Sequence, residues 1–353
     1  MIREAIQLLI ERKELPFEVA QQSMREIMAG EATQSQVGAF LTALRMKGET
    51  VQEVTAFAMV MRENALRINP NVNGRTVDTC GTGGDQIKTF NVSTTSALVA
   101  AGSGVTVAKH GNRSVTSKCG SADVLEAVGV NLTAPPSTVQ RAIETVGIGF
   151  MFAPTFHPAM KNAVVPRREI GIRTVFNVLG PLTNPANANA QVLGVYDSTL
   201  VEPLAKVLQK LGTEEALVVH GMDGIDEIST VGKTKVAWVR KGDVVTREIR
   251  PEDMRLRQAK AGEISGFDVN QSAQVMVNIL NGDEEKMSGR LEMVLANAAA
   301  AILVGGKADD LAGGVEEARK AIDSGRAYEK LKALVEITNG DQSKLERIEA
   351  GNA

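Results

Sequence analysis

Four stretches of the 353-residue chain concentrate residue types able to handle anions and a hard cation. The first is Asp78-Thr79-Cys80-Gly81-Thr82-Gly83-Gly84-Asp85, with three glycines in four positions. With no side chains in the way, its backbone N–H groups can converge on a phosphate. Asn91-Val92-Ser93-Thr94-Thr95-Ser96 then opens a helix with a hydroxyl-rich end, where free N–H groups and the dipole favour an anion. The pattern is neither the dinucleotide-binding G-x-G-x-x-G nor a Walker A loop, and taken alone it also fits a plain strand-to-helix turn.

The second stretch, Lys109-His110-Gly111-Asn112-Arg113-Ser114, runs on to Ser117 and Ser121 and sets two firm cations among directed donors. A solvated turn is the ordinary reading of such a run. Here both loops should leave the C-terminal ends of neighbouring strands, which is where ligands bind in open α/β sheets. Two phosphate-type loops on one edge suggest a ligand with phosphates at both ends. The third stretch, Asp223-Gly224-Ile225-Asp226-Glu227, offers carboxylates of the kind that hold Mg²⁺ beside ligand phosphates, although an isolated pair is more commonly an exposed acidic turn. In the fourth, Pro166-Arg167-Arg168-Glu169, an arginine suited to bidentate carboxylate recognition competes with a surface ion pair to Glu169 or Glu202.

The elements that must position these residues follow from periodicity. Residues 1–70 read as helices, with Ile2, Ala5, Ile6 and Leu9 on one face and capping boxes at Thr33/Gln36 and Thr50/Glu53. Gly30 and Gly48 fall at helix C-termini, and the Pro-Asn-Gly run at 70–74 predicts a domain joint. Strands are expected at 75–78, 105–108, 147–153, 191–195, 216–220 and 236–240, the first three alternating with helices at 94–101, 122–128 and after Pro136. That alternation predicts a large α/β domain with a mainly parallel central sheet. Residues 157–182 return to helical character, and the C-terminal third is helix-rich, clearest at 288–304 and 309–324. A small helical domain (1–70, joined by about 161–182) should pack on a large α/β domain (75–160 and 183–353) without a flexible linker.

Composition narrows the function. Lys and Arg total 39 against 42 Asp and Glu, a net charge of −3, and aromatics are 3% of the chain. A nucleic-acid binder wants a basic face and stacking rings, so that class is disfavoured. Two cysteines, Cys80 and Cys119, make no disulfide framework, and the charged start lacks a signal-peptide core. No apolar stretch is long enough to span a bilayer. A cytoplasmic protein bound to neither nucleic acid nor membrane is the expectation.

Taken in order, Gly81-Thr82-Gly83-Gly84-Asp85, Lys109-His110-Gly111-Asn112-Arg113, Gly120-Ser121-Ala122-Asp123-Val124-Leu125-Glu126 and Gly180-Pro181-Leu182-Thr183-Asn184-Pro185 resemble the anthranilate phosphoribosyltransferase family. The resemblance extends to about residue 335. It implies a homodimer, formed through the helical domain, of the nucleoside-phosphorylase-like phosphoribosyltransferase fold. It also implies transfer of a phosphoribosyl group from phosphoribosyl pyrophosphate to anthranilate in tryptophan biosynthesis, with Mg²⁺ as cofactor. A pyrimidine nucleoside phosphorylase of the same fold and a non-catalytic nucleic-acid-binding relative are the alternatives. The Lys-His-Gly-Asn-Arg run speaks against the first, and the charge and ring count against the second.

By that resemblance, Gly81, Gly84, Asp85, Thr89, Asn91, Val92, Ser93 and Thr94 match the pyrophosphate end of the donor site. Lys109, His110, Gly111, Asn112, Arg113, Ser117 and Ser121 match the loop that closes over the donor. Ser93, Asp226 and Glu227 match the Mg²⁺ ligands, and Arg167 the arginine on the anthranilate carboxylate. Gly81, His110, Asn112 and His157 are implied near the aromatic substrate, and Lys109, Asn112 and Arg167 are the implied catalytic set. A capping role before Pro158 is the other reading of His157. Many members carry a second histidine where this chain has Asn162, so the aromatic channel is expected to differ in detail.

Overall fold

The computed structural model describes residues 1–84, 89–114, 119–266 and 268–351, and for residues 284–288 the backbone only. Four helices come first: α1 (Ile2–Ile10), α2 (Phe17–Ala29), α3 (Gln34–Lys47) and α4 (Val51–Glu63). Both capping boxes form, Thr33 with Gln36 and Thr50 with Glu53. Glu53 does more than cap. Its buried carboxylate also accepts the Leu15 N–H at 2.9 Å and pairs with Lys47 at 2.8 Å, so one charge joins three segments of the bundle. A buried carboxylate is tolerable only when so fully partnered.

The chain then alternates through β1 (Thr76–Gly81), α5 (Val92–Gly102), β2 (Thr106–Gly111), α6 (Ser121–Ala127), α7 (Pro136–Thr145) and β3 (Ile148–Phe152). A broken helical stretch follows, with α8 (Ala153–Phe156), α9 (Lys161–Ile170) and α10 (Phe176–Leu179). It leads to β4 (Ala190–Gly194), α11 (Val201–Lys210), β5 (Glu215–Gly221), β6 (Thr234–Arg240) and β7 (Asp243–Ile249). Five helices finish the chain: α12 (Val269–Leu280), α13 (Glu284–Val304), α14 (Leu311–Asp323), α15 (Arg326–Ile337) and α16 (Gln342–Glu349).

The sheet runs β3-β2-β1-β4-β5-β6-β7, parallel as far as β5, with β6 and β7 added antiparallel. The mainly parallel α/β architecture read from the sequence is therefore present, and one strand was missed. In β7, Asp-Val-Val-Thr-Arg-Glu-Ile shows no apolar alternation because it is an exposed edge, where charge discourages further pairing. A Lys241-Gly242 turn with both residues at positive φ marked it.

Strand alternation sorts side chains into two cores. Val77, Val107, Leu217 and Val219 join α5 and the C-terminal helices. Leu193, Val195, Ala216 and Val218 join α11, the N-terminal bundle and Val175, Phe176, Val178, Leu179 and Leu182. The bundle thus shares its core with one face of the sheet. Two further ties cross the joint: Leu66 N–H to the Phe156 carbonyl at 2.8 Å and Arg62 Nε to the Leu182 carbonyl at 2.8 Å. Among the described residues, no helix is long and apolar enough to cross a membrane.

Candidate active site

β1 and β2 lie side by side and parallel, so the glycine loop and the loop after Gly111 leave the same sheet edge. Asn91 stitches them together, its Nδ2 donating to the Cys119 carbonyl at 3.2 Å. Helix α5 begins at Val92 beneath the first loop, and Thr94 to Gly102 are buried.

The loop after β2 begins later than its sequence suggested. Lys109, His110 and Gly111 belong to the strand. Consecutive strand residues face opposite sides, so Lys109 and His110 part company. Buried Lys109 reaches under the glycine loop, its Nζ donating to the Thr79 carbonyl and lying 3.4 Å from Ser93 Oγ. Burial pushes its pKa down, while buried Asp78 nearby pulls it up. Arg113 is held by Asp123 at 3.0 Å and Glu126 at 2.8 Å. Of the two loop cations, Lys109 braces the glycine loop from below and Arg113 is tied to α6. Asp123 also accepts the Gly120 N–H at 2.8 Å and the Ser114 N–H at 3.1 Å, which shapes the loop's return. Ser121 closes it by donating to the Asn112 carbonyl at 3.2 Å.

The acidic pair comes from the loop after β5. Asp226 is buried and its Oδ2 accepts the Gly83 N–H at 2.8 Å. A Cβ on Gly81 would lie 2.4 Å from that same oxygen, so only glycine fits there. Glu227 Oε1 accepts the Ser93 backbone N–H at 3.2 Å, which ties the carboxylate to the start of α5. Buried Asn297 of α13 holds the chain from behind, accepting the Ile228 N–H at 2.9 Å and donating to the Ile228 carbonyl at 3.0 Å. One reading needs revision: Gly83's N–H is engaged by Asp226 and not left for a phosphate. Gly81, Gly84, Thr89, Asn91, Val92, Ser93, Thr94, Asn112, Asp226 and Glu227 all line one crevice of about 360 Å³. Asp85 and Ser117 lie outside the described residues.

A second cavity of about 400 Å³ opens onto the first, sharing Gly81, Asn112, Phe176 and Pro181 with it. Its walls are largely apolar: Met61, Pro154, Met160, Val164 and Phe176. Arg167 enters at the last turn of α9, its guanidinium carbon 5.2 Å from the Phe176 ring centroid. Among the described residues it forms no ion pair; Glu202 is taken by Lys206 at 2.7 Å. Burial lowers its pKa. An arginine so placed, in an apolar pocket and without an ion pair among the described residues, has the chemistry to receive a ligand carboxylate.

His110 and His157 meet in this pocket, ring centroids 4.9 Å apart, each with a buried Nε2 that has no hydrogen-bond partner among the described residues. Burial, then the neighbouring ring, drives His110 down to about 3. Burial drives His157 down to about 4. Both are neutral at physiological pH. His157 makes no side-chain cap to the turn that follows, so its place is in the pocket. Asn162 does not line the pocket; its Nδ2 donates to the Met28 carbonyl at 2.8 Å, and the expected change to the aromatic channel does not arise from it. Burial raises both thiols, Cys80 well above its usual value and Cys119 to about 11, which leaves them protonated.

Two residues at the site were given no role of their own by the sequence reading. Buried Asp78 accepts the His110 N–H at 3.1 Å, and burial raises its pKa to about 6. Arg173, between α9 and α10, donates from Nη2 to the Gly84 carbonyl at 3.1 Å. Asp78 opens the glycine motif and was readable as part of it; Arg173 sits in no motif.

Comparison with known proteins agrees with this geometry. The glycosyl transferase family α/β domain matches residues 73–328, and the helical bundle domain of the same family matches residues 3–65. Anthranilate phosphoribosyltransferase of Methanocorpusculum labreanum is 52% identical over 340 residues, covering 96% of this chain and 99% of that protein. That of Geobacter sulfurreducens is 51% identical over 352 residues, covering 96% of this chain and 100% of that one. Among solved structures, the enzyme of Thermus thermophilus superposes with a TM-score of 0.89 at 41% identity, covering 95% of this chain and 99% of that one. The Saccharomyces cerevisiae enzyme, in complex with phosphoribosyl pyrophosphate and Mg, superposes at 0.87 with 26% identity, covering 96% of this chain and 98% of its own. Matched along nearly its whole length in sequence and in fold, this chain belongs to the anthranilate phosphoribosyltransferases of the glycosyl transferase family.

Proposed function

We propose that this chain transfers the 5-phosphoribosyl group from phosphoribosyl pyrophosphate to the amine of anthranilate, releasing pyrophosphate and N-(5-phosphoribosyl)anthranilate, a step of tryptophan biosynthesis. One observation carries the reading: an apolar pocket with one arginine and two neutral imidazoles opens directly onto a crevice built from a glycine loop and two carboxylates. A flat aromatic acid suits the first, and a diphosphate with its metal the second. That the yeast enzyme has been solved with phosphoribosyl pyrophosphate and Mg, and a variant of it with 4-fluoroanthranilate, supports these two ligand classes.

In the reaction the amine lone pair bonds to ribose C1 as the C1–O bond to pyrophosphate breaks. The electron pair leaves with pyrophosphate, and the new C1–N nitrogen loses a proton. Charge builds on the sugar and the leaving group, so positioning and electrostatics suffice. Arg167 fixes the carboxylate and so aims the amine toward Gly81 and Asn112, where the two cavities meet. His110 and His157 stay neutral and supply ring faces without competing charge. An aryl amine is weakly basic and already carries a free lone pair, so no strong general base is assigned.

Asp226, Glu227 and the Ser93 hydroxyl form an all-oxygen donor set of the kind Mg²⁺ prefers, and Glu227 and Ser93 already lie together. Bound there with the donor's phosphates, Mg²⁺ would neutralise charge developing on pyrophosphate. Lys109 acts from below, setting Thr79 and Ser93. Gly84, Thr89, Asn91, Val92 and Thr94 form the wall for the pyrophosphate, and Gly111, Asn112, Arg113 and Ser121 the wall that closes over the donor. Asp85 and Ser117 are assigned on resemblance.

The site lies where the helical unit, 1–70 with about 161–182, meets the α/β unit. We also propose a homodimer through the helical unit, whose surface exposes Ile10 and Met46, at 65% and 72%; light scattering on the purified protein would report twice the monomer mass. The decisive assay mixes protein, phosphoribosyl pyrophosphate, Mg²⁺ and anthranilate and follows anthranilate fluorescence. Loss of signal that requires all three additions is expected. No loss, with phosphorolysis of a pyrimidine nucleoside instead, would transfer the assignment to the phosphorylase reading.

A further inference from the structure

The glycine loop is gripped from two sides that no sequence motif announces. Tyr196, two residues past β4, donates its N–H to Thr82 Oγ1 at 3.0 Å. Its ring carries the Arg173 guanidinium, with 3.9 Å from the guanidinium carbon to the ring centroid. Arg173 in turn donates from Nη2 to the Gly84 carbonyl at 3.1 Å. Thr82 and Gly84 are thus held by a stacked Tyr–Arg pair, while Asp226 holds Gly83 between them. The fit at Gly84 admits no side chain, because a Cβ there would lie 1.4 Å from Arg173 Nη2 and the residue sits at φ +86°.

We infer that Arg173 is a positioning residue for the phosphoribosyl donor, acting through Gly84 to hold the glycine loop in the shape that receives pyrophosphate. A planar guanidinium can stack on a ring and donate in its own plane at once, which an ammonium cannot do. Among the described residues its buried Nη1 has no hydrogen-bond partner. Leaving such a donor unmet is costly, so the guanidinium is kept there for a purpose beyond packing. Arg173 also borders the crevice itself, so its charge adds to the field at the anion end. This inference rests on the transfer reaction proposed above.

The test compares Arg173→Gln, Arg173→Lys and Tyr196→Leu with the unaltered protein. Donor affinity is measured by calorimetry with phosphoribosyl pyrophosphate and Mg²⁺ in the absence of anthranilate, below each variant's Tm. KM for both substrates follows. Losing a charge-assisted hydrogen bond should weaken donor binding about tenfold to a hundredfold in Arg173→Gln. Arg173→Lys should recover part of that loss, and Tyr196→Leu should weaken the donor by a few-fold in the same direction. KM for anthranilate should move less than KM for the donor in every case. Donor affinity unchanged within about twofold, with only Tm lowered, would make Arg173 a structural tie and overturn the inference. If Arg173→Gln does not fold, Tyr196→Leu decides, since it loosens the guanidinium while keeping the backbone bond to Thr82. Absence of turnover in the unaltered protein overturns the reaction instead, an outcome distinct from normal turnover with unaltered donor affinity in the variants.

Discussion

The pocket around Arg167 and the crevice around Asp226 share a wall, yet they are held together by opposite means. The pocket relies on shape: apolar walls, two imidazoles kept neutral by burial, and one arginine that no protein carboxylate engages. The crevice relies on cross-ties between its charged side chains and the loops around it. Asp226 takes the Gly83 N–H, Glu227 the Ser93 N–H, Lys109 the Thr79 carbonyl, and Arg113 two carboxylates of α6. A substitution in the pocket should therefore remove one interaction with one substrate. In the crevice it should disturb the loop and the chemistry together.

Asp226→Asn tests the crowded side and should have the largest effect. The change weakens the proposed Mg²⁺ ligand and also the acceptor for Gly83. We expect kcat/KM for the donor to fall about a hundredfold to a thousandfold, the scale of losing a preorganised electrostatic group. Titrating Mg²⁺ should restore only part of the loss, since excess metal does not return the Gly83 bond. Full rescue would mean that the loop contact is incidental and that crevice and pocket are alike in their economy.

Arg167→Ala tests the sparse side. KM for anthranilate should rise roughly tenfold to a hundredfold, the scale of a charge-assisted bidentate contact, with donor KM within about twofold. Steady-state kinetics with each substrate varied in turn measures both. An equal rise for the two substrates would erase the distinction between the regions.

The buried imidazoles sharpen it through acid stability. Each histidine binds a proton near pH 6.5 when unfolded, but only near about 3 for His110 and about 4 for His157 when folded. Below pH 6.5 the unfolded chain therefore holds more protons, and folding stability falls as pH drops to about 4. The slope is about 1.4 kcal/mol per pH unit per histidine. Asp78 works against it: its folded pKa is raised to about 6 from 3.8, so between those values the folded chain holds the extra proton. At pH 5 the net slope should be that of about one histidine. His157→Gln should flatten the fall in Tm between pH 6.5 and 4, whereas Asp78→Asn should steepen it. Neither change altering the profile would mean that these groups are solvated in the folded protein.

Legibility in the sequence divides along the same line. Whatever depends on local geometry was readable: the capping boxes, the parallel strands, and the glycine loop that the structure places beside the Asp-Glu pair. Residues whose task depends on packing were not. Lys109 and Arg113 read together as two loop cations because sequence does not reveal that Lys109 is a strand residue facing inward or that Arg113 meets Glu126 on α6. Arg173, Tyr196 and Asn297 lie 89, 114 and 69 residues from the backbone groups they hold, and no spacing rule reaches so far. The edge strand β7 was hidden by its own charges.

Asn162 gives the smallest expected effect and bears on the pocket alone. Its identity suggested an altered aromatic channel, yet its amide points away from the cavity and binds the Met28 carbonyl at 2.8 Å, near the C-terminal end of α2. Asn162→Ala should cost about 1 kcal/mol of stability, the usual worth of one such bond, and leave KM for anthranilate within about twofold. Thermal unfolding and acceptor kinetics on one preparation would check both. A larger kinetic change would mean that α9 carries the position of Arg167 into the pocket through its packing on α2, so that the sparse region also depends on a distant tie. An unchanged KM would leave its recognition with the groups that line it, which is how a pocket built on shape should behave.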